Sequence, residues 1–275
     1  MTELTLTRPD AQLRGTATGT GPTLLLLHAG GEDRSVWAPV AGALSQREHP
    51  PGRPSVQTGR PPGSASRPPG QTGRPTGTGA GRPSSSSLRP LRTVAYDLRG
   101  HGESSGQATR LGPIAEDVTT MIRSEVGPVV LVGASLGGLA AIASLADPGV
   151  AQGVAGLILV DVVPNPDPVR VRAWLDDRCL RTHDPLVEDI FNHGPELLTT
   201  ATMLKLPILI VRGGPTSPLT DAEVNRFRTA NPAVAVTRVP TAGHLIAHDA
   251  PNELARIIAD QAATWFTTDR TAAGG

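Results

Sequence analysis

The sequence predicts an α/β fold built on a doubly wound, mostly parallel sheet. Two observations lead there. Short, continuous Val/Ile/Leu runs such as "LLLL", "VVLV", "LILV" and "ILIV" mark strands covered on both faces, since a strand with one wet face would alternate. These runs take turns with segments of helical spacing, the pattern of a sheet whose crossovers are helices. A chain of 275 residues is long enough for one large domain of this kind with additions.

The elements follow in order. "ELTLTRPDAQLRGTATGTG" alternates and turns, and predicts an antiparallel hairpin at one edge. "PTLLLLHA" reads as a buried strand and "RSVWAPVAGALS" as a helix. "RTVAYDL" is a strand, "IAEDVTTMIRSEVG" a helix, "PVVLVGA" a strand, "LGGLAAIASLA" a helix and "GLILVDVV" a strand. Further on come the strand "PILIVRG", the helix "DAEVNRFRTA", the strand "AVAVTRVP" and a closing helix, "PNELARIIADQAATWF".

Two stretches interrupt the alternation. Residues 46–90 repeat Gly-Arg-Pro four times, hold ten prolines and have almost no aliphatic side chain. Such a segment cannot bury enough apolar surface to offset its ordering entropy and is expected to be a disordered, low-complexity insertion. Residues 164–206 follow the end of "GLILVDVV", the sheet edge where ligands bind, and predict a short, mostly helical lid. The core is then 1–45, 91–163 and 207–270.

The chain carries 25 basic and 25 acidic side chains. Within 46–90 there are seven Arg and one Glu, so the neutrality is the sum of a basic insertion and an acidic remainder. That balance argues against nucleic acid or an anionic membrane as the main partner and leaves a small-molecule substrate. Cys179 is the single cysteine, so no intrachain disulfide or cysteine-based metal cluster is possible. No His/Asp/Glu group has metal-site spacing, and no cofactor or metal is expected. The N-terminus lacks the basic start and apolar stretch of a signal peptide, and the apolar runs are too short to span a bilayer. The expectation is a soluble, cytoplasmic protein.

Chemistry concentrates at three places. Gly133-Ala134-Ser135-Leu136-Gly137 is a G-x-S-x-G between a buried strand and an Ala-rich helix. A sharp turn there lifts Ser135 to the sheet's edge as a nucleophile, and the amide of Leu136 at the helix start can donate to an oxyanion. "HAGG", residues 28–31, follows an earlier strand, and the amide of Gly30 offers a second donor. His28 braces that turn. "AGHLIAHD" places His244 between the last strand and the last helix, where a general base for Ser135 has to sit, with His248 as second choice.

Together with "YDLRGHGES" at 96–104, "LVDVV" at 159–163 and "PILIVRGG" at 207–214, these motifs resemble the α/β-hydrolase fold superfamily. The resemblance covers most of the chain outside 46–90 and, loosely, 164–206. It implies Ser135 as nucleophile, His244 as base and oxyanion donors at Gly30 and Leu136. It gives Asp97 and His101, in a structural loop, no catalytic part.

Three features depart from the family pattern: the insertion, the short lid, and Ser217 where the family often has its triad acid. The acid is therefore expected at Asp161, at the C-terminal end of "GLILVD". Some haloalkane dehalogenases in this fold resemble that arrangement, and it keeps the order Ser–acid–His. Asp221 is the alternative acid, although "TDAE" reads as a helix capping box that explains it otherwise. A serine at the nucleophile position favours attack on a carbonyl through an acyl-enzyme. The expected activity is hydrolysis of an ester, lactone or thioester of a small, mostly apolar molecule. The family also includes cofactor-free haloperoxidase-like enzymes with the same triad. The alternative is a non-catalytic protein of this fold, with a degenerate triad, that binds a ligand or partner.

Overall fold

The computed structural model describes residues 1–48, 90–178, 180 and 184–272. Apart from 46–48 and 90, the segment expected to be disordered lies outside the described residues, as do Cys179 and His183.

The chain opens with β1 (Thr2–Thr7) and β2 (Gln12–Thr18), then β3 (Thr23–Leu27), a 3-10 turn at Arg34–Trp37 and α1 (Ala38–Glu48). There follow β4 (Arg92–Tyr96), α2 (Leu111–Ser124), β5 (Val129–Ala134), α3 (Leu136–Ser144), the short α4 (Pro148–Ala151) and β6 (Val154–Val160). The lid is α5 (Pro168–Asp177) and α6 (Pro185–Met203). The rest is β7 (Ile208–Gly213), α7 (Asp221–Ala230), β8 (Ala235–Val239), the short α8 (Ile246–Asp249) and α9 (Pro251–Ala272).

The eight strands form one sheet in the order β1-β2-β4-β3-β5-β6-β7-β8. As the N-terminal pattern predicts, β1 and β2 are antiparallel to each other, and β2 is antiparallel to β4. All other pairs are parallel. The continuous apolar runs are continuous because both faces are covered. Leu25, Leu27, Leu131, Leu157 and Ile210 point into a core shared with α2, α3 and α6. Their alternate neighbours Leu24, Leu26, Val130, Ile158 and Val211 point into a second core under α1 and α9.

The differences from the sequence reading lie at element ends. Helix α1 continues to Glu48, beyond the expected boundary at 45. Helix α2 starts at Leu111, three residues earlier than the pattern suggests, where the Leu111 amide donates to Asp189 of the lid at 2.7 Å. Helix α9 runs on to Ala272, and α4 and α8 are single turns too short to leave a periodic signal. No helix among the described residues is long and apolar enough to cross a membrane.

The loop after β4 is a buried polar brace. Asp97 is fully buried and accepts hydrogen bonds from the amides of Arg34 (2.7 Å) and Glu103 (2.8 Å) as well as from the Arg34 guanidinium. Arg99 donates to both oxygens of Asp117 at 2.7 and 2.8 Å and to Asp10 at 2.8 Å. These pairs tie the loop to the N-terminal hairpin and to α2.

His28 completes the brace beside β3. Its Nδ1–H donates to the Ala29 carbonyl at 2.7 Å, and its Nε2 accepts from the Leu98 amide at 2.9 Å. Accepting at Nε2 requires a neutral ring. Burial pushes its pKa down to about 4, whereas in the unfolded chain the ring takes a proton near 6.5. Stability from this group is therefore complete above about pH 6.5 and is lost as pH falls toward 4, by on the order of 3 kcal/mol at most. Denaturant unfolding between pH 7 and pH 4 should show that slope. In His28→Gln the slope should be shallower by about one proton; identical slopes would assign the acid sensitivity elsewhere.

Candidate active site

The predicted nucleophile, base and acid gather at the C-terminal edge of β5, β6 and β7. Ser135 is the single residue between β5 and α3, with φ 45° and ψ −112°. Asp161 follows β6 with φ 52°. These are the only two non-glycine residues with positive φ among the described residues. A serine held there costs on the order of 1–3 kcal/mol, whereas aspartate tolerates the left-handed region better than most side chains. Such strain persists where the surrounding structure imposes it and clusters at functional sites.

Close packing explains the motif's glycines. A Cβ on Gly137 would lie 2.5 Å from the Leu27 carbonyl oxygen, and one on Gly133 would lie 2.5 Å from the Gly138 backbone. The turn can therefore form only without side chains at these positions. It leaves the N-terminus of α3 open at the site, and its dipole favours negative charge there. Gly30 sits against Leu136: a Cβ on Gly30 would be 3.7 Å from the Leu136 side chain. Neither the Gly30 nor the Leu136 amide has an acceptor among the described residues.

Asp161 is almost wholly buried, yet each oxygen is satisfied. Oδ1 accepts from the Gly213 amide at 2.7 Å. Oδ2 accepts from Nδ1 of His244 at 2.8 Å and from the Ser217 hydroxyl. The carboxylate can only accept, so the His244 proton is assigned to Nδ1 and the lone pair to Nε2. The loop bearing His244 is held on both sides. The Gly243 amide donates to Asp249 of α8 at 2.7 Å, and the Gly214 amide donates to the Ala242 carbonyl at 2.7 Å.

Ser135, Asp161, His244, Gly30 and Leu136 all line one cavity of about 840 Å³. Its core wall adds Leu139 and Val162, and its lid wall Trp174, Leu186, Ile190 and Phe191. Ser135 and His244 form no direct hydrogen bond; such contacts tighten when substrate is present. Trp174 of α5 meets the His244 ring edge-on, with centroids 4.7 Å apart. The lid thus rests directly on the histidine.

Asp221 goes elsewhere. It pairs with Arg212 at 2.5 Å and with Arg238, its side chain is 58% exposed, and it does not line the cavity. The capping box that the sequence suggested is present, with Thr220 and Glu223 exchanging hydrogen bonds. That is why the alternative acid does not reach His244. His248 is exposed on α8 and is also absent from the cavity lining.

Two residues that the sequence assigned only structural parts also line the cavity. His101 lines the cavity from the brace loop, with Nδ1 3.0 Å from the Arg99 carbonyl. Glu223 also lines it and accepts from the Asp167 amide at 2.9 Å, which links the start of the lid to α7. The capping pattern places Glu223 at the helix start but cannot tell that its second oxygen reaches the lid. No group of three His, Cys, Asp or Glu side chains arranged for a metal occurs among the described residues.

A family model described as the alpha/beta hydrolase family matches residues 24–257. The chain belongs to this family. No curated protein matches the sequence. Solved structures agree on the fold at low identity. A thermophilic esterase from Thermogutta terrifontis, solved with malate bound, is 19% identical over 96% of this chain and 99% of its own, with a TM-score of 0.66. A haloalkane dehalogenase loop variant from Bradyrhizobium elkanii is 15% identical over 98% of both chains, with a TM-score of 0.67. The thioesterase domain of the curacin biosynthetic pathway is 17% identical over 94% of this chain and 99% of its own, with a TM-score of 0.64. An esterase, a thioesterase and a dehalogenase thus share the architecture, which by itself selects no reaction.

Gly213 shows how tightly the edge of this alpha/beta hydrolase is assembled. A Cβ there would lie 2.2 Å from the Gly243 carbonyl oxygen, inside the loop that carries His244. Gly213→Ala should destabilise the protein by roughly 2–4 kcal/mol in denaturant unfolding. Gly112→Ala, in the first turn of α2 with open space around it, should be neutral or slightly stabilising. Equal effects at the two positions would refute the packing assignment.

Proposed function

We propose that this protein is a serine hydrolase acting on a carbonyl substrate, with Ser135 as nucleophile, His244 as general base and Asp161 as the acid that orients it. One observation carries the reading: the 2.8 Å bond from His244 Nδ1 to a buried carboxylate, in a cavity that His244 shares with a strained serine.

The chemistry follows from the geometry. With its proton on Nδ1, His244 offers Nε2 to the Ser135 hydroxyl. Ser135 Oγ attacks the carbonyl carbon, and His244 takes the proton. Asp161 stabilises the imidazolium that forms and holds its tautomer. Negative charge grows on the carbonyl oxygen and is met by the Gly30 and Leu136 amides and the N-terminus of α3. The intermediate then collapses. The C–O or C–S bond to the leaving group breaks, and His244 returns the proton to it. Water, deprotonated by the same histidine, resolves the acyl-enzyme in the reverse sense.

The aliphatic and aromatic walls favour esters, lactones or thioesters of mostly apolar molecules. A cavity of about 840 Å³ falls in the range that encloses drug-sized ligands. A serine nucleophile speaks against direct displacement of halide, for which an aspartate would be needed. The non-catalytic alternative rests on a degenerate triad, the short lid and the insertion, and the Asp161–His244 bond counts against the first of these.

A fluorophosphonate probe should label the folded protein at Ser135, read by peptide mass spectrometry, and short p-nitrophenyl esters should be hydrolysed. Ser135→Ala should abolish both with little change in Tm; retained turnover would remove the nucleophile assignment. Asp161→Asn should lower kcat by about 10³–10⁴-fold, while Asp221→Asn should change it by less than about threefold. The reverse ranking would return the acid to Asp221. Absence of labelling in folded wild-type protein would favour the ligand-binding alternative.

A further inference from the structure

We propose that Ser217 is a positioning residue: its hydroxyl holds the Asp161 carboxylate in place and weakens that carboxylate's pull on the His244 proton. The inference rests on the triad reading above and adds a member to the same site.

Ser217 lies in the loop after β7 and is half-buried. Its own amide donates to the Gly214 carbonyl at 3.1 Å, so the loop closes back on the strand end. Its hydroxyl oxygen accepts from the Leu219 amide at 3.0 Å. With that side of the oxygen occupied, the hydroxyl proton is directed at Asp161, to which it donates. The oxygen it reaches is Oδ2, the one that also takes the His244 proton. Oδ1 is separately held by the Gly213 amide. Three donors, from a strand end, a turn and the histidine's loop, thus converge on one carboxylate.

A donor on the oxygen facing an imidazolium lowers the negative potential the ring experiences. Removing it leaves a carboxylate that is still anchored through Oδ1 but holds the imidazolium proton more strongly. Charged and titratable groups on the surrounding elements are occupied elsewhere. Arg212 of β7 binds the Leu219 carbonyl and Asp221; Glu223 of α7 binds Thr220 and the Asp167 amide. Asp249 of α8 accepts from the Gly243 amide, and His101 bonds the Arg99 carbonyl. Asp161 is the carboxylate bonded to His244, so the hydroxyl on its Oδ2 is the neighbour best placed to tune the ring.

The test is an NMR titration of the His244 side-chain nitrogens in the full-length protein, which needs no substrate. In Ser217→Ala the midpoint should rise by about half a pH unit. Ser217→Thr, which keeps the hydroxyl, should return it to the wild-type value. Ser217→Cys keeps the volume but donates weakly and should move it in the same direction as alanine. The acid limb of kcat/KM should follow the midpoint, with kcat lowered about 3–10-fold in Ser217→Ala. A serine that merely packs would change Tm without moving the midpoint. An unmoved or lowered midpoint in folded Ser217→Ala or Ser217→Cys overturns the proposal. Failure of the triad reading looks different: Ser135→Ala would keep its activity, whatever His244 does in the titration.

Discussion

Hydrogen bonds that carry the strand ladder past the ends of β5, β6 and β7 are what the site depends on. The Ser135 amide donates to the Val160 carbonyl at 3.2 Å, and the Asp161 amide donates to the Val211 carbonyl at 2.8 Å. The Gly213 amide then turns from backbone to side chain and donates to Asp161 itself. Parallel pairing thus continues just as each strand ends, which sets Ser135, Asp161 and the end of β7 at one level. The positive φ of Ser135 and Asp161 is what lets each chain segment leave the sheet while its amide stays in the ladder. Buried polar groups in such a row have no water to fall back on, so each bond is costly to lose.

The histidine is brought in from the other side by contact between loops. Nothing in the sheet's pairing specifies where residues 240–245 go. The Gly214–Ala242 bond and the absence of a side chain on Gly213 press this loop against the end of β7. Asp249 holds it from behind. The lid then closes over the same ring through Trp174, while Glu223 fastens the lid's first residues to α7. A group buried under apolar side chains interacts more strongly with a fixed charge than one in water. The lid therefore does two things at once, shaping an apolar cavity and drying the histidine–carboxylate pair.

On the triad proposed above, Ser217 and Asp161 together account for a departure from the family pattern that the sequence resembles. A carboxylate is absent from the turn after β7, but that turn still reaches the Asp161 carboxylate through the Ser217 hydroxyl. The negative charge comes from the neighbouring strand end instead. The turn keeps a polar group aimed at the same point because the sheet geometry brings both strand ends to it. Two adjacent strands can therefore share one task, one supplying charge and the other a donor.

Much of this was legible in the chain alone. The apolar runs announce buried parallel strands because a strand covered on both faces has no use for alternation, and the alternating N-terminus announces its hairpin for the converse reason. Ser135 is legible because the strand–turn–helix geometry admits only glycine two residues on either side. Thr220 and Glu223 are legible because a capping box is a local exchange of hydrogen bonds. What lay beyond reach was every contact that joins distant segments. Sequence order left Asp161 and Asp221 both open as the acid. In the folded protein Arg212 and Arg238 take Asp221, and it is Asp161 that meets His244. The contacts of Trp174 with His244, of Glu223 with the lid and of Ser217 with Asp161 follow no periodicity or motif, since nothing local rewards them. A residue's neighbours within a few positions shape helices, turns and caps; which carboxylate meets which imidazole is set by packing between segments more than eighty residues apart.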